Sequence, residues 1–191
     1  FYNKIIIGCG YMTKDKLLNT LRKMNINNYN DKILDRDEYI LKLLLTLDDS
    51  LIKIGIDIIN LYEDDILASE AIDILKRHPN MNVIRCLTNE NSIKGNVSLE
   101  GAKILCGSKE AFNASCGCDI LCNETAIKGG IALEGAKIIN HSKKWYNAYY
   151  GRYPLTDINV INAGYSLIGA NIINNSDKEY KALFASIALC S

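Results

Sequence analysis

Three observations predict an all-α fold assembled from repeated helical hairpins. A block of sequence recurs at a fixed spacing, each copy divides into two segments of helical character, and the two prolines of the chain fall at equivalent places in the pattern. Residues 92–117 (SIKGNVSLEGAKILCGSKEAFNASCG) and 126–151 (AIKGGIALEGAKIINHSKKWYNAYYG) share 14 of 26 residues at an offset of 34. A third copy at 160–185 keeps Ile161, Gly164, Leu167, Gly169, Ala170, Ile172, Ser176, Tyr180 and Ala182 in step. A period in this range marks a repeat architecture, in which each unit buries its apolar face against its neighbours. Pro79 lies 24 residues after Gly55 and Pro154 lies 24 after Gly130. Proline cannot continue a helix, so both mark an exit into the next unit.

The elements follow in chain order. Residues 1–49 are a less regular leading region. Lys14–Met24 has helical spacing with basic residues near its end, and the asparagine-rich stretch from Asn25 to Asp31 reads as a loop. Asp37–Leu47 is a second helix, and Asp48-Asp49-Ser50 caps the next. Residues 50–81 form a fainter repeat unit, since 54–75 matches 100–121 at Gly55/Gly101, Ala68/Ala114, Ser69/Ser115 and Asp73/Asp119. The spacing there is 46 rather than 34, which sets residues 82–91 apart as an insertion. Three units follow at 92–125, 126–159 and 160–191, in one repeat domain spanning 1–191.

Within a unit, the segment typified by Ala126–Asn140 is apolar nearly all round, as a buried helix is. Gly129, Gly130 and Gly135 in one helix cost about 1 kcal/mol each relative to alanine, a cost that close approach of neighbouring helices offsets. Ser108, Ser142 and Ser176 precede charged residues and read as caps of a second, outer helix, which Gly117 and Gly151 close. One alternative stays open at this level. The short runs GAKIL, GAKII and GANII also suit strands in a strand–helix solenoid.

Composition removes several function classes. The 22 Lys and Arg balance 22 Asp and Glu, which argues against a nucleic-acid binder built on a basic surface. No apolar run approaches the length of a membrane span, and no leader pattern signals secretion. The first residue, Phe1, and the last pair, Cys190-Ser191, give the chain the look of a piece of something longer. Seven cysteines are an odd number, and Cys116, Cys118 and Cys122 lack the second knuckle of a zinc site, so buried reduced thiols in a reducing compartment are expected and no metal or cofactor.

Catalytic patterns are equally scarce. Gly8-Cys9-Gly10 is half a dinucleotide loop without its third glycine, and reads better as a small-residue helix seam. His78 at a helix end reads as solvated, and His141 falls in an interhelix turn. Trp145 reads either as a groove filler between units or as an exposed binding anchor. No enzyme is indicated.

Helical repeats with a Gly/Ala-rich buried helix resemble the proteasome/cyclosome repeat, and in particular the large non-ATPase base subunits of the 26S proteasome. The resemblance is carried by Phe1-Tyr2-Asn3 with Lys14–Leu18, by Asp48 through Gly55, by Ala71–Leu75, and by the glycine-rich stretches from Ile93 to Ser108 and from Ile127 to Gly130. The chain departs from the family where Leu99-Glu100-Gly101, Leu133-Glu134-Gly135 and Leu167-Ile168-Gly169 replace its Gly-Leu-Gly or Ala-Leu-Gly. The resemblance implies an α-solenoid closed into a toroid, a non-catalytic scaffold of the regulatory particle in cytoplasm and nucleus, and contacts with the ATPase ring and with ubiquitin or ubiquitin-like domains. Between the two scaffolds of this type, the chain looks more like the ubiquitin receptor. The sister scaffold, the related scaffold of the cyclosome or an unrelated helical-repeat adaptor are the alternatives. Asp119 through Ala126 resembles the family's acidic segment between two repeats, which makes Asp119 and Glu124 the candidate ubiquitin-like-domain contacts.

Overall fold

A computed structural model describes residues 2–24 and 31–191, with side chains from Thr13 to Met24 and from Ile33 onward. Among the described residues every regular element is helical and there is no strand. The runs GAKIL, GAKII and GANII are helical, which removes the strand–helix alternative. Two compact units divide the chain, one ending at Pro79 and the other running Asn80–Ser191.

The first unit holds α1 (Tyr2–Lys23), a 3-10 turn (Asp31–Asp35), α2 (Glu38–Leu44), α3 (Asp49–Leu61) and α4 (Asp65–Arg77). The helix expected at 14–24 is the C-terminal half of α1, with Arg22 and Lys23 in its last turn, where cations oppose the negative end of the dipole. Gly8 and Gly10 sit inside α1 rather than in a turn between strand and helix, so the dinucleotide-loop reading lacks its context. The expected loop at 25–31 falls largely on residues 25–30, and the start of the family resemblance on Phe1; both lie outside the described residues.

Capping is mostly by aspartate. Asp37 accepts from the Tyr39 N–H at α2, and Asp64 from the Ile66 and Leu67 N–H groups at α4. Asp48 takes the N-cap position of α3 without a side-chain bond. Arg36 ties the far end of α3, donating to the carbonyls of Ile59 (2.9 Å) and Tyr62 (3.0 Å) while paired with Asp65. A Cβ at Gly55 would stand 2.5 Å from Leu44 Cδ1, so α2 and α3 close against each other only because that position is bare.

The second unit repeats a three-helix motif rather than a two-helix one. After α5 (Met81–Thr88) come α6 (Glu90–Lys94), α7 (Ser98–Cys106) and α8 (Ala111–Leu121). Thirty-four residues on are α9 (Glu124–Lys128), α10 (Ala132–Asn140) and α11 (Trp145–Gly151), then α12 (Ile158–Asn162), α13 (Ser166–Asn174) and α14 (Glu179–Cys190). The motif therefore starts two residues before the sequence boundaries. Its first helices are capped by Asn89, Asn123 and Asp157, each accepting from backbone N–H groups.

The expected continuous inner helix is broken at 96, 130 and 164. Asn96, Gly130 and Gly164 have φ of 54°, 69° and 78°, the left-handed region that stops a helix. Behind each stop, a longer bond runs from the Val97, Ile131 or Tyr165 N–H to the carbonyl of Ser92, Ala126 or Val160. This is the Schellman arrangement. Gly130 thus serves chain reversal, and its missing Cβ faces open space.

Gly164 is likewise open, but several other glycines do serve packing, against side chains more than backbone. A Cβ at Gly101, Gly135 or Gly169 would approach Leu121, Leu155 or Leu189 at 2.8, 3.0 and 2.6 Å, so each inner helix is closed on by the leucine ending its own unit. Leu87 in α5 holds the same 34-residue spacing. Residues 82–91 accordingly fold as α5 and the start of α6, and α5 buries Val83, Cys86 and Leu87. Between units, Cβ atoms at Gly95 and Gly129 would come within 2.2 and 2.5 Å of the Cγ2 of Ile127 and Ile161.

Polar hooks also bridge the units. Asn113, buried in α8, donates to the Ser142 carbonyl at 2.8 Å. Its counterpart Asn147 donates to the carbonyls of Ile173 (2.7 Å) and Ser176 (3.1 Å). In the opposite sense, Asn140 donates to Ile104 O (3.0 Å) and Asn174 to Ile138 O (3.4 Å). Of the serines expected as caps, Ser142 and Ser176 belong to these joints, and Ser108 donates locally to Glu110 O. Ser142 is buried and donates to Asn174 Oδ1, while the outer helices start after Glu110, Lys144 and Lys178 with no side-chain cap.

Candidate protein-interaction surface

The repeat places equivalent residues of successive outer helices side by side, which is why chemistry collects on their outward face. Asp119, a predicted contact, sits near the C-terminal end of α8. One carboxylate oxygen accepts from Arg85 and the other from Arg152, both at 2.7 Å. Arg85 precedes Asp119 by 34 residues and Arg152 follows by 33, so the bridge spans α5, α8 and the end of α11. Its carboxylate is engaged inside the protein. Glu124, the other predicted contact, is exposed in the first turn of α9 and pairs with Lys128 at 2.6 Å. Lys128, hydrogen-bonded to it, holds its carboxyl below the usual range. The structure does not bring the two acids into one acidic patch, and each is matched by cations.

The aromatic residues form the more distinctive feature. Trp145 opens α11 and is 53% exposed, while Phe112 near the start of α8 is 42% exposed. Their rings meet edge to face at 6.4 Å and 85°, and both lie 6.4 Å from the Tyr149 ring. Tyr149 in turn meets Tyr153 at 5.5 Å, and the Arg152 guanidinium lies over Tyr149 at 4.9 Å. A continuous line of contacts therefore runs from Trp145 through Phe112, Tyr149, Arg152 and Asp119 to Arg85. Trp145 meets Phe112 of α8 across the outer helices and is otherwise open to solvent, so it fills the space between units only in part.

Beside Tyr149 and Tyr153, a cleft of about 660 Å³ opens between the exit of α11 and α14. Exposed Phe184 and Ile187 extend the apolar surface along α14. The sequence named Trp145 but missed this assembly. The signal for it was the repeat itself, which carries Phe112 to Tyr146 and Arg85 to Asp119 at the common spacing of 34.

Cys190 is exposed and lines the cleft, whereas four other cysteines are packed inside. Cys86, Cys116, Cys118 and Cys122 are buried, with the Cys118 and Cys122 sulfurs 3.9 Å apart. Burial pushes the Cys86 thiol up, and the hydrogen bond with Cys122, followed by burial, does the same to Cys118. The Cys86 thiol donates to Ser98 O and the Cys118 thiol to Asn82 O, so these groups act as small packed donors. Among the described residues, no group of three or more His, Cys, Asp or Glu has metal-holding geometry, and no helix is long and apolar enough to cross a membrane. His78 is exposed, and a His141 ring nitrogen meets Lys137 O at 2.7 Å. No family model, no curated protein and no solved structure matches this chain in the three comparisons made.

Proposed function

We propose that the chain is part of a non-catalytic helical-repeat scaffold that binds other proteins through its outer helices. The observation that supports this reading most is the 34-residue helical unit, with Gly101, Gly135 and Gly169 each closed on by a leucine and an aromatic surface left outside. Solenoid repeats build extended binding faces because each unit contributes an equivalent strip of surface.

The more specific proposal is a scaffold of the 26S proteasome regulatory particle, closed into a toroid, organising the ATPase ring and binding ubiquitin or ubiquitin-like domains in cytoplasm and nucleus. Its support is the resemblance of the glycine-rich units to that family. Affinity purification of the native complex followed by mass spectrometry tests it, and absence of ATPase-ring subunits rejects it. Titrating ubiquitin onto the wild type and the Asp119→Ala/Glu124→Ala variant tests the contacts. Equal affinity removes both residues from the site.

One observation favours an unrelated helical-repeat adaptor as the second reading. Acidic side chains meet the basic face of ubiquitin-like folds by charge complementarity, yet both Asp119 oxygens are held by arginines.

A further inference from the structure

We propose that the surface of Trp145, Phe112 and Tyr149 is a docking site for an acidic, extended peptide segment carrying aromatic or proline anchors. This rests on the protein-binding reading above and names the class of partner. The first support is charge. Arg85 and Arg152 lie on the line of contacts, and Lys109, Lys143 and Lys144 neighbour Phe112 and Trp145 in sequence, which sets five cations against three carboxylates, Asp119, Glu110 and, at the cleft, Asp157. Lys109, Lys143 and Lys144 are exposed and make no ion pair among the described residues. This local excess stands on a chain whose formal net charge is zero, so it is concentrated rather than general.

The second support is ring geometry. Phe112 and Trp145 stand at 85°, Trp145 and Tyr146 at 81°, and Tyr149 and Tyr153 at 90°. Edge-to-face rings leave notches between them, as in the aromatic-lined grooves that accept proline and aromatic side chains of extended peptides. A single-stranded nucleic acid instead needs open ring faces on which successive bases stack. The cleft beside Tyr149 and Tyr153 gives one anchor side chain a deeper seat, and the unpaired lysines at the opposite end meet the carboxylates of the same segment.

The test is fluorescence anisotropy of three labelled probes on the whole chain. They are a peptide of about twelve residues with Asp and Glu spaced around Phe and Pro, the same peptide with Lys for every acid, and an oligothymidylate of similar length. The acidic peptide is expected to bind in the range of about 10–100 μM at low salt and to weaken as salt screens the charges. The Lys143→Glu/Lys144→Glu variant, altered only at exposed positions, is expected to lose at least about tenfold in affinity, and Trp145→Ala about as much. Unchanged far-ultraviolet circular dichroism of both variants shows that the fold is retained. Equal binding of the lysine peptide, tighter binding of the oligothymidylate, absence of any binding, or an unaffected Lys143→Glu/Lys144→Glu variant each overturns the proposal. Should these fail while the native complex still purifies with partner proteins, this surface is rejected and the scaffold reading stands. Loss of both rejects both.

Discussion

Asn147→Ala removes the hook that fastens the second repeat to the third. The side chain is buried and donates twice, to Ile173 O and Ser176 O. The two acceptors do not suffer equally. Ile173 O also receives the Ser176 N–H at 3.0 Å and keeps that donor, whereas the Ser176 carbonyl loses its Asn147 donor. Each net hydrogen bond is worth about 1 kcal/mol, and half-buried Ser176 leaves its carbonyl within reach of water, so the expected loss is about 2 kcal/mol. For a chain of this length that corresponds to a fall in Tm of about 4–8 °C. Urea titration followed by circular dichroism measures it directly. Asn113→Ala loses one bond but leaves the buried Ser142 carbonyl without its amide donor, and should cost about 1–3 kcal/mol. Asn147→Lys, which installs the residue found at the equivalent Lys181, should cost at least as much as alanine because it buries a charge beside a carbonyl. If Asn147→Ala falls within about 0.5 kcal/mol of wild type, or the lysine variant matches it, the hooks do not hold the joint.

Other predictions concern the glycines, the thiols and the arginine bridge. Gly129→Ala places a Cβ at 2.5 Å from Ile161 Cγ2 and should cost about 1–3 kcal/mol, partly recovered in combination with Ile161→Ala; purely additive effects in that cycle would refute the contact. Gly130→Ala should cost about 1 kcal/mol from backbone strain alone, and Gly130→Asn less, because Asn96 holds the same conformation one repeat earlier; equal unfolding midpoints for the two variants would contradict this. Cys86 stays neutral when folded but ionises in the unfolded chain above its ordinary value of 9.0, so its contribution to stability is present below that pH and lost above it. Urea midpoints should therefore fall as pH rises from about 8.5 to about 10.5, and by less in Cys86→Ala. Asp119→Asn should cost at most about 1 kcal/mol, since Arg85 is half exposed and solvent screens the pair, while tightening the acidic peptide by strengthening the local positive field.

The sequence carried the period, the helical class and the burial of Cys86, Cys116, Cys118 and Cys122, though not the exposure of Cys190, because each is written in residues that recur or in simple hydropathy. It carried less about where helices stop. Gly129-Gly130 reads as packing when glycine is weighed only for its size, yet the Asn, Gly, Gly series at 96, 130 and 164 lists residue types that tolerate positive φ, and that was the legible sign. The caps were misplaced for a different reason. Ser142 looks like a local N-cap, but its hydroxyl is spent on Asn174 in the next unit, a partner that only tertiary structure supplies. Asp119 fails in the same way. A carboxylate between two repeats reads as a free contact until arginines from the flanking helices arrive at its two oxygens.

The hooks between units run both ways, forward from Asn113 and Asn147 and backward from Asn140 and Asn174. Apolar surfaces alone tolerate sliding, but a slide of one helical turn carries each carbonyl about 5.4 Å from its amide. Opposed hooks resist displacement in either direction, so the joint behaves as a detent rather than a greased bearing. The outward rings and guanidinium groups inherit that fixed pitch, and a ligand laid across two repeats meets them at one spacing only.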